Sequence, residues 1–218
     1  MLATLSKNRR FVVTGLLVLF SLLFLGLFST SDNLSPVFQG LIVSVVFFLV
    51  IPLLYSKIVL RESLKNLGLQ KGNFAAGVLS AIFSVALALV AMAALAFTFP
   101  QFRAQYAFPA LVENSFLWFV FYELVLVSLV VLLYEVFFRG LIELLWLKAF
   151  GVWAVFMQAG IFYGFLYLSD DISWQRAPLL IFCPLAGFIA YRSGSLWYSI
   201  LASWVFLFLA DIFFLVFH

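Results

Sequence analysis

The sequence predicts an all-α fold, a polytopic bundle of about seven transmembrane helices (six to eight if the weakest segments break differently) with a cytoplasmic N-terminus. Three observations lead there. The first is composition: of 218 residues 67% are hydrophobic and 10% charged, and mean hydropathy is +1.22. A soluble domain carries roughly 45–50% apolar and about 25% charged residues. The 12 basic and 9 acidic residues could not cover such a surplus in water. A soluble enzyme, a disordered chain, a disulfide scaffold and a nucleic-acid-binding domain are all excluded. The second is length: seven apolar stretches approach the ~20 residues that cross a ~30 Å hydrocarbon core. The third is the distribution of basic residues between them. All of 1–218 reads as one transmembrane domain, so the activity lies in or at the bilayer.

The first stretch, 11–28, follows Lys7, Arg9 and Arg10 and so resembles a signal peptide. Its apolar run exceeds the ~7–15 residues of a secretory core, which makes it an uncleaved anchor. The second, 37–60, leads into a basic loop around Arg61–Asn73 with Lys65 and Lys71. The third, 74–99, precedes the longest loop on the other side, around Pro100–Asn114. The fourth, 115–139, could continue to Phe150 with Gly140 as the weak point. The fifth is 151–168. The sixth, 177–193, is short and contains Pro184, which predicts a kink. The seventh is 195–217. With the N-terminus inside, Lys57, Arg139, Lys148 and Arg192 join the six basic residues already named on the inner side, against Arg103 and Arg176 outside. Ten against two satisfies the positive-inside rule. The C-terminus then lies outside, as do Asp32, Glu113, Asp170 and Asp171. Trp118, Trp153, Trp174 and Trp197 fall near span ends, as an interfacial belt requires. No transporter-type repeat is visible.

The lone cysteine, Cys183, permits no intrachain disulfide and reads as a small buried hydrophobe. The lone histidine is the last residue, His218, so the usual general base and metal ligand is missing from the spans. No metal site and no cofactor are expected. Ionisable groups within spans are costly and therefore suggest function. Three acids qualify: Glu123, Glu135 and Asp211. Arg139 stands at the inner end of the fourth span. Glu135 and Arg139 are spaced i,i+4 in the favourable order for an ion pair, which packing alone could use. Glu123 could bond a neighbouring helix or line an outer vestibule. Asp211, near the outer interface, could snorkel to water.

The run Tyr134-Glu135-Val136-Phe137-Phe138-Arg139-Gly140 resembles the first motif of the CAAX-protease and bacteriocin-processing family, also called the abortive-infection family, which includes the Ras-converting prenyl endopeptidases. That motif is Glu-Glu-x-x-x-Arg followed by Gly on a transmembrane helix. Gly194-Ser195-Leu196-Trp197-Tyr198-Ser199-Ile200 is similar to the opening of the family's last motif-bearing helix, and Leu67-Gly68-Leu69 to the approach to its core. The resemblance spans about 60–210. The departures are specific. Tyr134 stands where the family has its first Glu. The stretch Phe162-Tyr163-Gly164-Phe165-Leu166 ends in Leu166 instead of His, and Ser203 and Leu207 replace the His and the Asn or Asp of the third motif.

Peptide hydrolysis needs a base to activate water and donors to hold the oxyanion, worth ~10²–10⁴-fold and about 10²–10³-fold respectively. The family's Glu and His residues supply these, so the resemblance implies a pseudoprotease with no confident catalytic residue. Tyr134, with an ordinary pKa of ~10, is a poor base. The reading that follows is an interaction or scaffold subunit of a membrane protein complex. It would contact lipids and a transmembrane or lipidated protein partner, bind no nucleic acid, and reside in a bacterial inner membrane. One alternative is an active endopeptidase with a divergent site at Glu135, Arg139 and Tyr134. The other is a small transporter or channel using Glu123, Glu135 and Asp211.

Overall fold

The structure, a computed structural model, describes residues 2–29, 35–106, 108–169 and 173–217, with side chains from Phe11 onward except those of Pro36 and Phe217. Asp32, Asp170, Asp171 and His218 lie outside the described residues, as do the side chains of Lys7, Arg9 and Arg10. Among the described residues the chain is helical, without a strand. Its long helices are α1 (Leu2–Gly26), α2 (Val37–Val59), α3 (Phe74–Thr98), α4 (Phe116–Phe150), α5 (Trp153–Leu168), α6 (Ala177–Ser193) and α7 (Leu196–Phe217). Four of them, α2, α3, α4 and α7, are long and apolar enough to cross a membrane, as an integral membrane protein requires. The Phe11–Gly26 part of α1 and all of α5 are shorter apolar helices.

Helix α4 differs from the sequence expectation. It does not stop at Arg139 or break at Gly140 but runs 35 residues to Phe150. The i→i+4 ladder widens to i→i+5 over Tyr122–Val127 and again over Glu135–Leu144. Wide turns admit extra residues without ending a helix and recur at functional sites. Arg139 therefore sits well inside the bundle, 4% exposed, and not at an inner helix end. Helix α2 widens on both sides of Pro52 in the same way. Helix α6 stays continuous through Pro184. Proline has no N–H for the carbonyl four residues earlier, and the Tyr163 hydroxyl donates to that Leu180 oxygen instead, at 2.8 Å.

Two packing groups meet at α6, which touches α3, α4, α5 and α7. In one, Phe48 of α2 lies among Phe137, Phe138 and Phe165, with ring centroids 4.7, 5.7 and 5.5 Å away. In the other, Ala88, Met92 and Ala96 of α3 meet Ala186 of α6 and Ala202, Phe206 and Ala210 of α7. Small side chains let these backbones approach closely, the main source of helix association where lipid is as apolar as protein. The loop before α3 is stitched to the turn before α7. The Leu196 N–H donates to the Gly68 carbonyl at 2.9 Å and the Asn73 N–H to Ser193 at 2.8 Å, and the Ser195 hydroxyl donates to the Gln70 carbonyl at 2.5 Å. Gly72, at φ 60°, is required there, because a Cβ would fall on the Ser193 carbonyl. These bonds fix the start of α7, and with it the register of the serines described next.

Candidate functional site

The wide turn of α4 carries Glu135, Arg139 and Glu143 at four-residue spacing, 1%, 4% and 0% exposed. The Glu135 carboxylate accepts from Ser199 at 2.6 Å on one oxygen and from Ser203 at 2.8 Å on the other. The two serines stand one turn apart on α7. Arg139 Nε lies 3.7 Å from the same carboxylate, the ion pair expected from the i,i+4 spacing. Its Nη2 donates to the Cys183 carbonyl at 3.0 Å, and Gln158 Nε2 reaches the same oxygen at 3.3 Å. One carboxylate and one guanidinium thus tie α4 to α7 and α6, and Gln158 of α5 shares the Cys183 acceptor. Hydrogen bonds to a charged group are worth about 1.5–3 kcal/mol each.

Glu143 was not foreseen. Counting apolar residues ends the fourth span at 139, although position 143 repeats the i,i+4 step from Arg139. Neither of its carboxyl oxygens has a hydrogen-bonding partner among the described residues. It lies against Gly187 of α6, where a Cβ would stand 2.7 Å from Glu143 Oε2 and 2.6 Å from Gln158 Nε2. Glycine is what lets α6 come this close. Ser199 and Gln158 were likewise given no role from sequence; their partners are distant in the chain and no local spacing points to them.

The motif positions come together with one exception. Tyr134, Glu135, Arg139, Phe162, Ser203 and Leu207 line a single void of about 20 Å³, room for about one water molecule. Leu166 does not line it; its side chain is 1% exposed in the core cluster with Phe162 and Phe165. Cys183 is buried, as expected, and lines the same void.

A second polar cluster lies toward the N-terminal end of α4, twelve residues or roughly 18 Å of helix from Glu135. Asp211 is not a snorkelling interfacial acid. It is 4% exposed, because the long loop after α3 folds in as the short helix Pro100–Gln105 and brings the Tyr106 hydroxyl to donate to its carboxylate. Burial, and then the neighbouring Asp211 carboxylate, push the Tyr106 phenol above its ordinary pKa, so it stays a donor. Glu123 is 1% exposed. The Asp211 carboxyl is its electrostatic neighbour, and neither Glu123 oxygen has a hydrogen-bond partner among the described residues. Its backbone carbonyl accepts from the Trp204 indole at 3.0 Å. Glu123 does not line the cavity beside this pair, but Asp211 does. An open cavity of about 170 Å³ is bounded by Asp211, Tyr106, Tyr122 and Arg176. Leu179 and Leu207 line both this cavity and the void at Glu135, and so separate the two.

The chain matches no family model, and comparison with curated proteins and with solved structures likewise finds no match.

Proposed function

We propose that this integral membrane protein is a catalytically inactive member of the CAAX-protease type that serves as an interaction or scaffold subunit of a membrane protein complex. The observation that carries the reading is the state of Glu135. Where the resemblance puts catalysis, its carboxylate is held by Ser199, Ser203 and Arg139 in a space for about one water. A hydrolase there would need a base free to take a proton and a donor for the oxyanion. No histidine lies in any span, and Leu207 and Leu166 are apolar. The surroundings are built for holding helices together.

In this reading α1, α5 and α6 also cross the bilayer, giving seven spans with the N-terminus in the cytoplasm of a bacterial inner membrane. With Arg139 moved into the bundle, the charge asymmetry is nine basic residues against two, still a strong inner bias. A transmembrane or lipidated partner would engage the lateral groove between α2 and α4. That groove, about 260 Å³, is lined by apolar side chains apart from Ser44 and Tyr134. The test is extraction of the tagged chain from its native membrane in mild detergent. A partner at near-equal stoichiometry, unaffected by Glu135→Gln, is the expected result. A chain that runs alone and cleaves peptide or prenylated substrates in a manner abolished by Glu135→Gln would overturn the reading.

A further inference from the structure

The cavity beside Asp211 and the lateral groove between α2 and α4 are neighbours. Leu126 and Val130, one turn apart on α4, line both. Leu126 is 37% exposed, so the boundary is a ridge open to lipid and not a sealed wall. On one side of the ridge, where α4 and α6 begin, the cavity wall carries Tyr122, Gln175, Arg176 and Asp211. On the other, the groove reaches Phe48 and Tyr134, whose ring centroids lie 5.6 Å apart. Tyr134 also lines the void at Glu135 and so closes the groove off from it. Twelve residues separate Tyr122 from Tyr134, roughly 18 Å of helix. One leaflet of a ~30 Å hydrocarbon core is about 15 Å deep. A polar chamber leading over a ridge into an apolar trough of one leaflet's depth has the dimensions of a single lipid.

We propose that cavity and groove together bind one zwitterionic phospholipid, with its phosphate beside Arg176, its ammonium beside Asp211 and one acyl chain in the groove. Both α2 and α4 are long and apolar enough to cross a membrane, so the groove between them faces hydrocarbon. A chain lying there supplies the dispersion contacts that an unfilled groove would forfeit. Charge selects the head. The wall offers one guanidinium and one carboxyl, which complement a head carrying one phosphate and one ammonium. A carboxylate has about four acceptor sites, and Tyr106 uses one of those on Asp211. An anionic head without an amine would bring no donor cation to Asp211. The inference shares the groove assigned above to a partner but not the premise of lost catalysis. Its readouts on the isolated chain do not depend on whether a partner co-purifies.

The experiment titrates the full chain, purified and delipidated in detergent, with palmitoyl-oleoyl phosphatidylethanolamine or the matching phosphatidylglycerol, and counts bound lipids by native mass spectrometry. One saturable phosphatidylethanolamine is expected, at least about tenfold tighter than phosphatidylglycerol, the worth of one charge-assisted contact. Asp211→Asn should erase that preference. Leu126→Trp, which fills the ridge, should weaken the single adduct at least about tenfold. Leu124→Trp is the control: Leu124 is 58% exposed on the same helix and lines neither space, so its adduct should match the unsubstituted chain. Circular dichroism verifies that each variant is folded. Equal binding of the two lipids, or an unsaturable series of adducts alike in both tryptophan variants, means annular lipid only and would overturn the proposal.

Discussion

The two buried carboxylate clusters on α4 differ in how fully their polar atoms are used. At Glu135 each carboxylate oxygen has a hydroxyl donor, the neighbouring Arg139 supplies the opposite charge, and the space left is about 20 Å³. At Glu123 and Asp211 two acids are electrostatic neighbours, one tyrosine donates, and about 170 Å³ lies open beside Asp211. Both sit on stretches of widened helix, 122–127 and 135–144. The same backbone device therefore serves two ends. In one place it aims side chains at each other and fixes the bundle; in the other it leaves acceptors unused. Saturation of hydrogen bonds, and not the presence of a buried acid, is what marks a structural tie.

The comparison can be broken by mutation. Glu135→Ala should have the largest effect, about 3–5 kcal/mol, because it leaves the buried Arg139 without its nearest counter-charge; reversible unfolding in mixed micelles measures it. Ser203→Ala removes one charge-assisted bond and should cost about 1.5–3 kcal/mol in the same assay. Gly187→Ala should cost about 1–3 kcal/mol, since its methyl must displace Gln158 and Glu143; a drop in melting temperature reports it. Tyr163→Phe should cost about 1 kcal/mol by uncovering the Leu180 carbonyl that Pro184 leaves unbonded, visible as faster amide exchange around α6. Glu123→Gln should have the smallest effect, within ~0.5 kcal/mol or slightly stabilising, because it removes repulsion and no existing bond.

Much of this fold is legible in hydropathy. Apolar runs placed the long helices to within a few residues, except at α4 and at the start of α1, which reaches back to Leu2. In α4 the sequence offers Arg139 and Gly140 as plausible stops, and nothing in residue spacing announces a switch from i→i+4 to i→i+5 bonding. That miss hid Glu143. The Glu135–Arg139 pair was readable because both residues lie one turn apart on one helix. The serines that complete it are 64 and 68 residues away, and only the stitched loops at Gly68 and Leu196 bring them into register. Asp211 misled for a similar reason. Its position near the chain end suggests water, but a tyrosine 105 residues earlier covers it. Local periodicity reveals pairs within one element, whereas partners supplied across the bundle need the fold.

The most direct test is to measure the unfolding free energies of Glu135→Gln and Glu123→Gln side by side in the same micelles. Each substitution removes one buried carboxylate and keeps its shape. The structure predicts a loss of at least about 1.5 kcal/mol for Glu135→Gln, which gives up charge-assisted bonds, and no loss for Glu123→Gln. Equal losses, or a larger loss at Glu123, would contradict the division of α4 into a structural tie and an unsaturated acid.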